Sequence, residues 1–234
     1  MVIPIKIFEI RGEMDPEPMY QKLDGYQDIL PYEGKEGPGE LFTQILYLER
    51  EGDVIKGVLS KDFLRERYYH GDMVETPTTE EAPFWIIPRG DRKFLIVSAP
   101  SVARGVKKLL TGHVANELSQ ILFGEHGMIV EGEIPHETLK ELHESNPKAT
   151  NLIWFDNVDI PDVDKLCLSG SGLADTELYQ NYLIHGQIWY VVFEVQKHGI
   201  VVGITRNCVV ALFSKSELEE FIDFAKENIL ELID

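Results

Sequence analysis

The sequence predicts an α+β fold: a mixed sheet with a β-rich N-terminal part and a C-terminal antiparallel meander closed by a helix. Three observations carry this expectation. Residues 93–123 open with the apolar run Phe94-Leu95-Ile96-Val97, break at Ser98-Ala99-Pro100-Ser101, and continue with apolar residues at helical spacing. Four apolar residues in a row suit a strand covered on both faces, and Pro100 suits a first helical turn, where its missing N–H costs nothing. Near the C-terminus, 187–195, 200–205 and 208–213 are rich in β-branched and aromatic residues. Their links are short enough for antiparallel hairpins. The chain then changes period: Leu218, Phe221, Ile222, Ala225 and Ile229 recur at helical spacing after Ser214 and Glu217, which form a capping-box pattern.

The N-terminal elements follow in order. Residues 2–10 alternate as a strand does. The many glycines and prolines of 12–40 predict a long loop, a binding arm or flap carrying tyrosine and methionine side chains. Residues 41–48 and 54–60 flank Glu49-Arg50-Glu51-Gly52-Asp53 and predict a hairpin. Residues 63–70 extend that sheet or form a short helix. Residues 76–83, Thr-Pro-Thr-Thr-Glu-Glu-Ala-Pro, are the most linker-like stretch, so the expected division is 1–82 as a β-rich N-terminal part and 83–234 as an α+β part. A further hairpin over 84–97 turns at Arg89-Gly90-Asp91.

In the second part the apolar face rotates at Gly112, which predicts a break and two shorter helices. Strands at 128–134 and 151–155, separated by a helix opened by Pro135, complete a strand–helix–strand–helix–strand order. That order predicts a partly parallel, helix-covered sheet. Ser169-Gly170-Ser171-Gly172 is a loop, and Asp175 is the expected cap of a helix ending near His185.

Composition bounds the function. The 234 residues hold 40 acidic and 22 basic side chains, a formal charge of −18, and 44% hydrophobic residues, enough to fill a core. Such a charge opposes phosphate-backbone binding, so nucleic acid would have to be met by a local basic patch. It suits a partner with a basic surface. Cys167 and Cys208 are too few for a zinc or disulfide framework and stand in apolar surroundings, so buried free thiols are expected. No stretch reads as a signal peptide or membrane span, and the expected location is the cytoplasm.

Two site candidates stand out. Arg104, Lys107 and Lys108, beside Ser98 and Ser101 at an expected helix start, form an anion-binding candidate, since a helix N-terminus with hydroxyls and cations holds phosphate or carboxylate. A solvated helix face accounts for the same residues. Asp156, Asp162 and Glu194 form a candidate divalent-cation site, because hard cations take oxygen ligands and a bound ion activates water for phosphoester cleavage. Asp156 and Asp162 follow an apolar strand, while Glu194 opens Glu194-Val195-Gln196-Lys197, which sets the lysine one place late for the acid–spacer–lysine pattern of metal-dependent nucleases. No convincing catalytic set emerges. The sequence therefore reads first as an acidic, non-enzymatic binding or regulatory protein with a basic protein partner, and second as a metal-dependent phosphoesterase or nuclease.

Overall fold

The computed structural model describes residues 3–34, 37–98, 106–146, 148–195, 200–214 and 217–234, with the side chains of 3, 69 and 106–111 outside that description. The fold is mixed α+β and mostly antiparallel. In chain order it runs β1 (Ile3–Ile10), α1 (Pro16–Leu23), β2 (Gln27–Gly34), β3 (Gly37–Glu51), β4 (Val54–Tyr69), β5 (Asp72–Arg89), β6 (Arg92–Ser98) and α2 (Val106–Phe123). Then follow β7 (Ile129–Glu131), α3 (His136–Ser145), β8 (Thr150–Asp156), β9 (Leu166–Ser169), α4 (Glu177–His185), β10 (Gln187–Val195), β11 (Ile200–Thr205), β12 (Val209–Leu212) and α5 (Leu218–Asn228). No helix of the described residues is long and apolar enough to cross a membrane.

The chain forms two compact units, a middle unit of Glu9–Val130 and a terminal unit of Met1–Phe8 with Glu131–Asp234. In the middle unit the strands lie in the order β2-β3-β4-β5-β6, and α1 and α2 pack on them. Met19 and Leu23 of α1, Val114, Leu118 and Leu122 of α2, and Ile55, Leu59, Ala82, Phe84, Phe94 and Ile96 of the strands are buried. At ~25 cal/mol per Å² of apolar surface, each large side chain contributes about 1.5–3 kcal/mol, before the entropy cost of ordering it.

In the terminal unit the order is β1-β12-β11-β10-β8-β9, and α3 packs on β10. The expected meander is present: β10 pairs β11, and β11 pairs β12, both antiparallel. The last helix buries Phe221, Ile222, Phe224 and Ala225, while Glu219, Glu220, Asp223 and Glu227 stay exposed.

Several expectations fail for identifiable reasons. The described residues of 12–40 include α1, β2 and the start of β3, and residues 76–83 lie inside β5. The prolines misled the reading, because each occupies a position with a one-sided ladder. Pro31 is on β2, the outer strand; Pro38 precedes the β3–β4 pairing that begins at Thr43; Pro77 and Pro83 precede the β5–β6 pairing that begins at Phe84. A proline there turns its missing donor away from the paired neighbour. The units accordingly divide at 8/9 and 130/131 rather than near 82.

Residues 63–69 extend β4. Helix α2 runs unbroken through Gly112, since one interior glycine costs only about 1 kcal/mol relative to alanine. Strand β8 pairs β9 and β10 antiparallel, not parallel to its predecessors. Thr176, not Asp175, caps α4, its Oγ1 accepting the Tyr179 N–H at 3.1 Å. At α5 the cap is Glu217, whose N–H donates to Glu220 at 3.4 Å, and Ser214 instead accepts from Val201 N–H at 2.7 Å. Cys208 is buried, but Cys167 is exposed because it alternates with buried Leu168 on β9.

Candidate protein-binding face

Strand side chains alternate between faces, so the register of β2–β5 assigns every residue of the middle unit's sheet to one side or the other. Directly paired residues share a face. The pairs Ile29–Phe42, Pro31–Glu40, Glu33–Pro38, Gln44–Ser60, Tyr47–Val58 and Glu49–Lys56 fix one face across β2, β3 and β4. Asp62–Thr79, Leu64–Pro77, Glu66–Glu75 and Tyr68–Met73 carry it onto β5.

Sorted in this way, the charges separate. One face holds Glu33, Glu40, Glu49, Glu51, Asp62, Glu66, Glu75 and Glu81 against two cations among the described residues, Lys56 and, at the far end of β5, Arg89. All of these acids are exposed except Asp62, which is half-buried. Arg50, Lys61, Arg65 and Arg67 fall on the opposite face, where the helices lie. There Arg50 pairs with Glu17 of α1, Lys61 with Glu117 of α2, and Arg65 with buried Glu80. Phe63 also meets His113 of α2 edge to face at 5.5 Å between ring centroids. The helices thus pair two of these cations, Arg50 and Lys61, and β5 pairs Arg65.

The acidic face is also apolar in patches. Tyr68 is 73% exposed, Met73 48%, Tyr47 47%, Ile29 46% and Leu64 37%. Two features hold it in shape: Asp62 accepts the Phe42 N–H at 2.9 Å and the Thr79 hydroxyl at 2.6 Å, and Tyr47 donates its hydroxyl to Glu49. Toward β6 the face closes, with Trp85 and Ile87 buried. Glu66 and Glu75 stand directly opposite each other, a like-charge arrangement that costs the sheet stability. Such a locally unfavourable pair marks a place shaped by something other than stability.

The sequence-derived candidates are placed elsewhere. Both oxygens of Asp156 accept from Arg206 Nη2, at 2.8 and 2.7 Å. Asp162 is exposed in the following loop at φ 64°, and Glu194 is exposed near the far end of β10. Because Asp156 pairs Gln187 and Thr150 pairs Phe193, Glu194 stands several residues along the ladder from Asp156. At ~3.3 Å per residue the separation is roughly 20 Å. The three carboxylates are not brought together, and among the described residues no group of three or more His, Cys, Asp or Glu is arranged to hold a metal ion. Of the anion candidates, Ser98 is buried at the end of β6. Ser101 and Arg104 lie outside the described residues, as do the side chains of Lys107 and Lys108 on the first turn of α2.

The acidic face itself went unread in the sequence. Its signal was present, since Glu49 and Glu51, then Asp62, Leu64, Glu66 and Tyr68, step by two. The register that unites such rows across four strands is a tertiary property. No family model matches the chain, and no curated protein matches it.

Proposed function

We propose that this protein is a non-enzymatic binding or regulatory protein of the cytoplasm, and that it docks a protein with a basic surface on the outward face of β2–β5. One observation carries the reading: eight carboxylates against one lysine and one arginine share a sheet face with exposed Tyr68, Met73, Tyr47, Ile29 and Leu64. Aromatic and methionine side chains supply anchoring area in protein interfaces, while rim charges steer encounter and select the partner's sign. The same carboxylates repel a phosphate backbone, which disfavours nucleic acid at this face. The metal-dependent alternative needs Asp156, Asp162 and Glu194 on one ion, and their placement lends it no support.

The test is paired co-purification from the native host at low salt, using the wild type and a Glu66→Lys, Glu75→Lys, Tyr68→Ala variant. The expected result is a basic protein retained by the wild type, released as salt rises, and absent from the variant. Retention of the same proteins by both forms would remove the face from the account.

A further inference from the structure

The terminal unit contains an open groove of about 460 Å³ whose wall is a fixed polar network. Arg206 is held by Asp156, as described above, and its Nη1 donates to Gln187 Oε1 at 2.8 Å. Asn157 Nδ2 donates to the same oxygen at 3.1 Å, and the Arg206 N–H donates to the Trp189 carbonyl at 2.9 Å. Arg206 thus serves as a post that fixes the wall. Its charge is matched by Asp156, with both side chains 20% exposed, so it is not an open anion hook.

What the groove leaves over is acceptor and aromatic chemistry. Glu133 is exposed, and among the described residues its carboxylate has no hydrogen-bond or ion-pair partner. Glu131 is paired through one oxygen to Lys6, a lysine only 5% exposed on β1. With Asp156 matched to Arg206 and Glu131 to Lys6, Glu133 is the net charge of the groove. Asn157, having committed its Nδ2, presents Oδ1 as an acceptor. The Trp189 ring already serves a cation within the chain, Lys165 Nζ standing 4.7 Å from its centroid, and Lys165 is not part of the groove wall.

A flat cation with N–H groups at its edge satisfies all three features. It stacks on an indole while its edge reaches a carboxylate and an amide oxygen, which a compact ammonium cannot do together. We propose that this groove is a guanidinium-binding site, with the head group against Trp189 and its N–H edge on Glu133 and Asn157 Oδ1. The site belongs to the terminal unit and stands independently of the β2–β5 face.

The test is isothermal titration of the full chain with agmatine, with a capped Gly-Arg-Gly tripeptide, and with the same tripeptide carrying citrulline for arginine. Agmatine is expected to bind saturably, about tenfold more weakly to the exposed-residue variant Glu133→Gln, because a charged hydrogen-bond acceptor is lost. The neutral citrulline peptide is expected not to bind. Binding by both cations identifies the ligand as an arginine side chain or its free analogue. Binding by agmatine but not by 1,4-diaminobutane, which has the ammonium without the guanidinium, identifies a small guanidine. Equal binding of 1,4-diaminobutane overturns the proposal. Absence of saturable binding by either, an affinity unchanged in Glu133→Gln, or equal binding of the citrulline peptide overturns the proposal.

Discussion

Asp156 shows what a single residue in a sequence does and does not disclose. A carboxylate after an apolar strand was visible as a charged group at a strand end. Its partner Arg206 was not, because β12 and the β10–β11 hairpin must assemble before the two meet. Neutralising one member of so enclosed a pair leaves the other under-satisfied, so Asp156→Asn is expected to lower stability by about 1–3 kcal/mol in urea unfolding. His143 makes the opposite point. It is fully buried on α3 against Tyr179, ring centroids 4.9 Å apart, and among the described residues neither ring nitrogen has a hydrogen-bond partner. Burial pushes its pKa below the ordinary 6.5, and the neighbouring Glu144 only partly opposes this. The folded state then refuses a proton that the unfolded chain accepts, so stability is lost as pH falls below ~6.5. His143→Leu, which fills the site without a polar atom, is expected to flatten the thermal midpoint between about pH 6.5 and 5 and to be neutral or stabilising at pH 7. An unchanged slope in that variant places the acid sensitivity elsewhere.

Elements were legible where local chemistry and tertiary pairing agreed. The meander, the 41–60 hairpin, α3 and α5 followed from periodicity and turn residues, as the register confirms. The 84–97 hairpin of β5 and β6 followed in the same way, but strand β2 and the first half of β5 did not, since their prolines look like loop punctuation until their one-sided pairing is known. The hairpin of β4 and β5 carries two predictions. Gly57 lies under the Phe84 ring, and a Cβ there would stand 2.5 Å from a ring carbon and 3.0 Å from the Tyr47 carbonyl oxygen. Gly57→Ala is therefore expected to cost about 1–3 kcal/mol by overpacking, read from the denaturation midpoint. Glu75→Lys replaces a like-charge cross-strand pair by an opposite one, and is expected to raise stability by about 0.2–1 kcal/mol while weakening the partner. A binding face that gains stability as it loses function is the signature expected when charge is kept for recognition.

At the scale of the whole molecule, a formal charge of −18 says little until it is located. Part of it lies along α5, where Glu219, Glu220, Asp223 and Glu227 form a solvated helix face with no exposed apolar residue among them. Another part lies on β2–β5, interleaved with large exposed apolar side chains. Net charge was legible from composition alone, whereas its segregation was not, because alternation within each strand acquires meaning only when strands pair. The most direct measurement is zero-length carbodiimide cross-linking in the native host's lysate, followed by mass spectrometric mapping of the joined carboxylates. A docking face on β2–β5 is expected to give cross-links from Glu49, Glu66 and Glu75 to lysines of a basic protein, fading as ionic strength screens the contact. Cross-links confined to Glu219, Glu220 and Glu227 of α5 would contradict it.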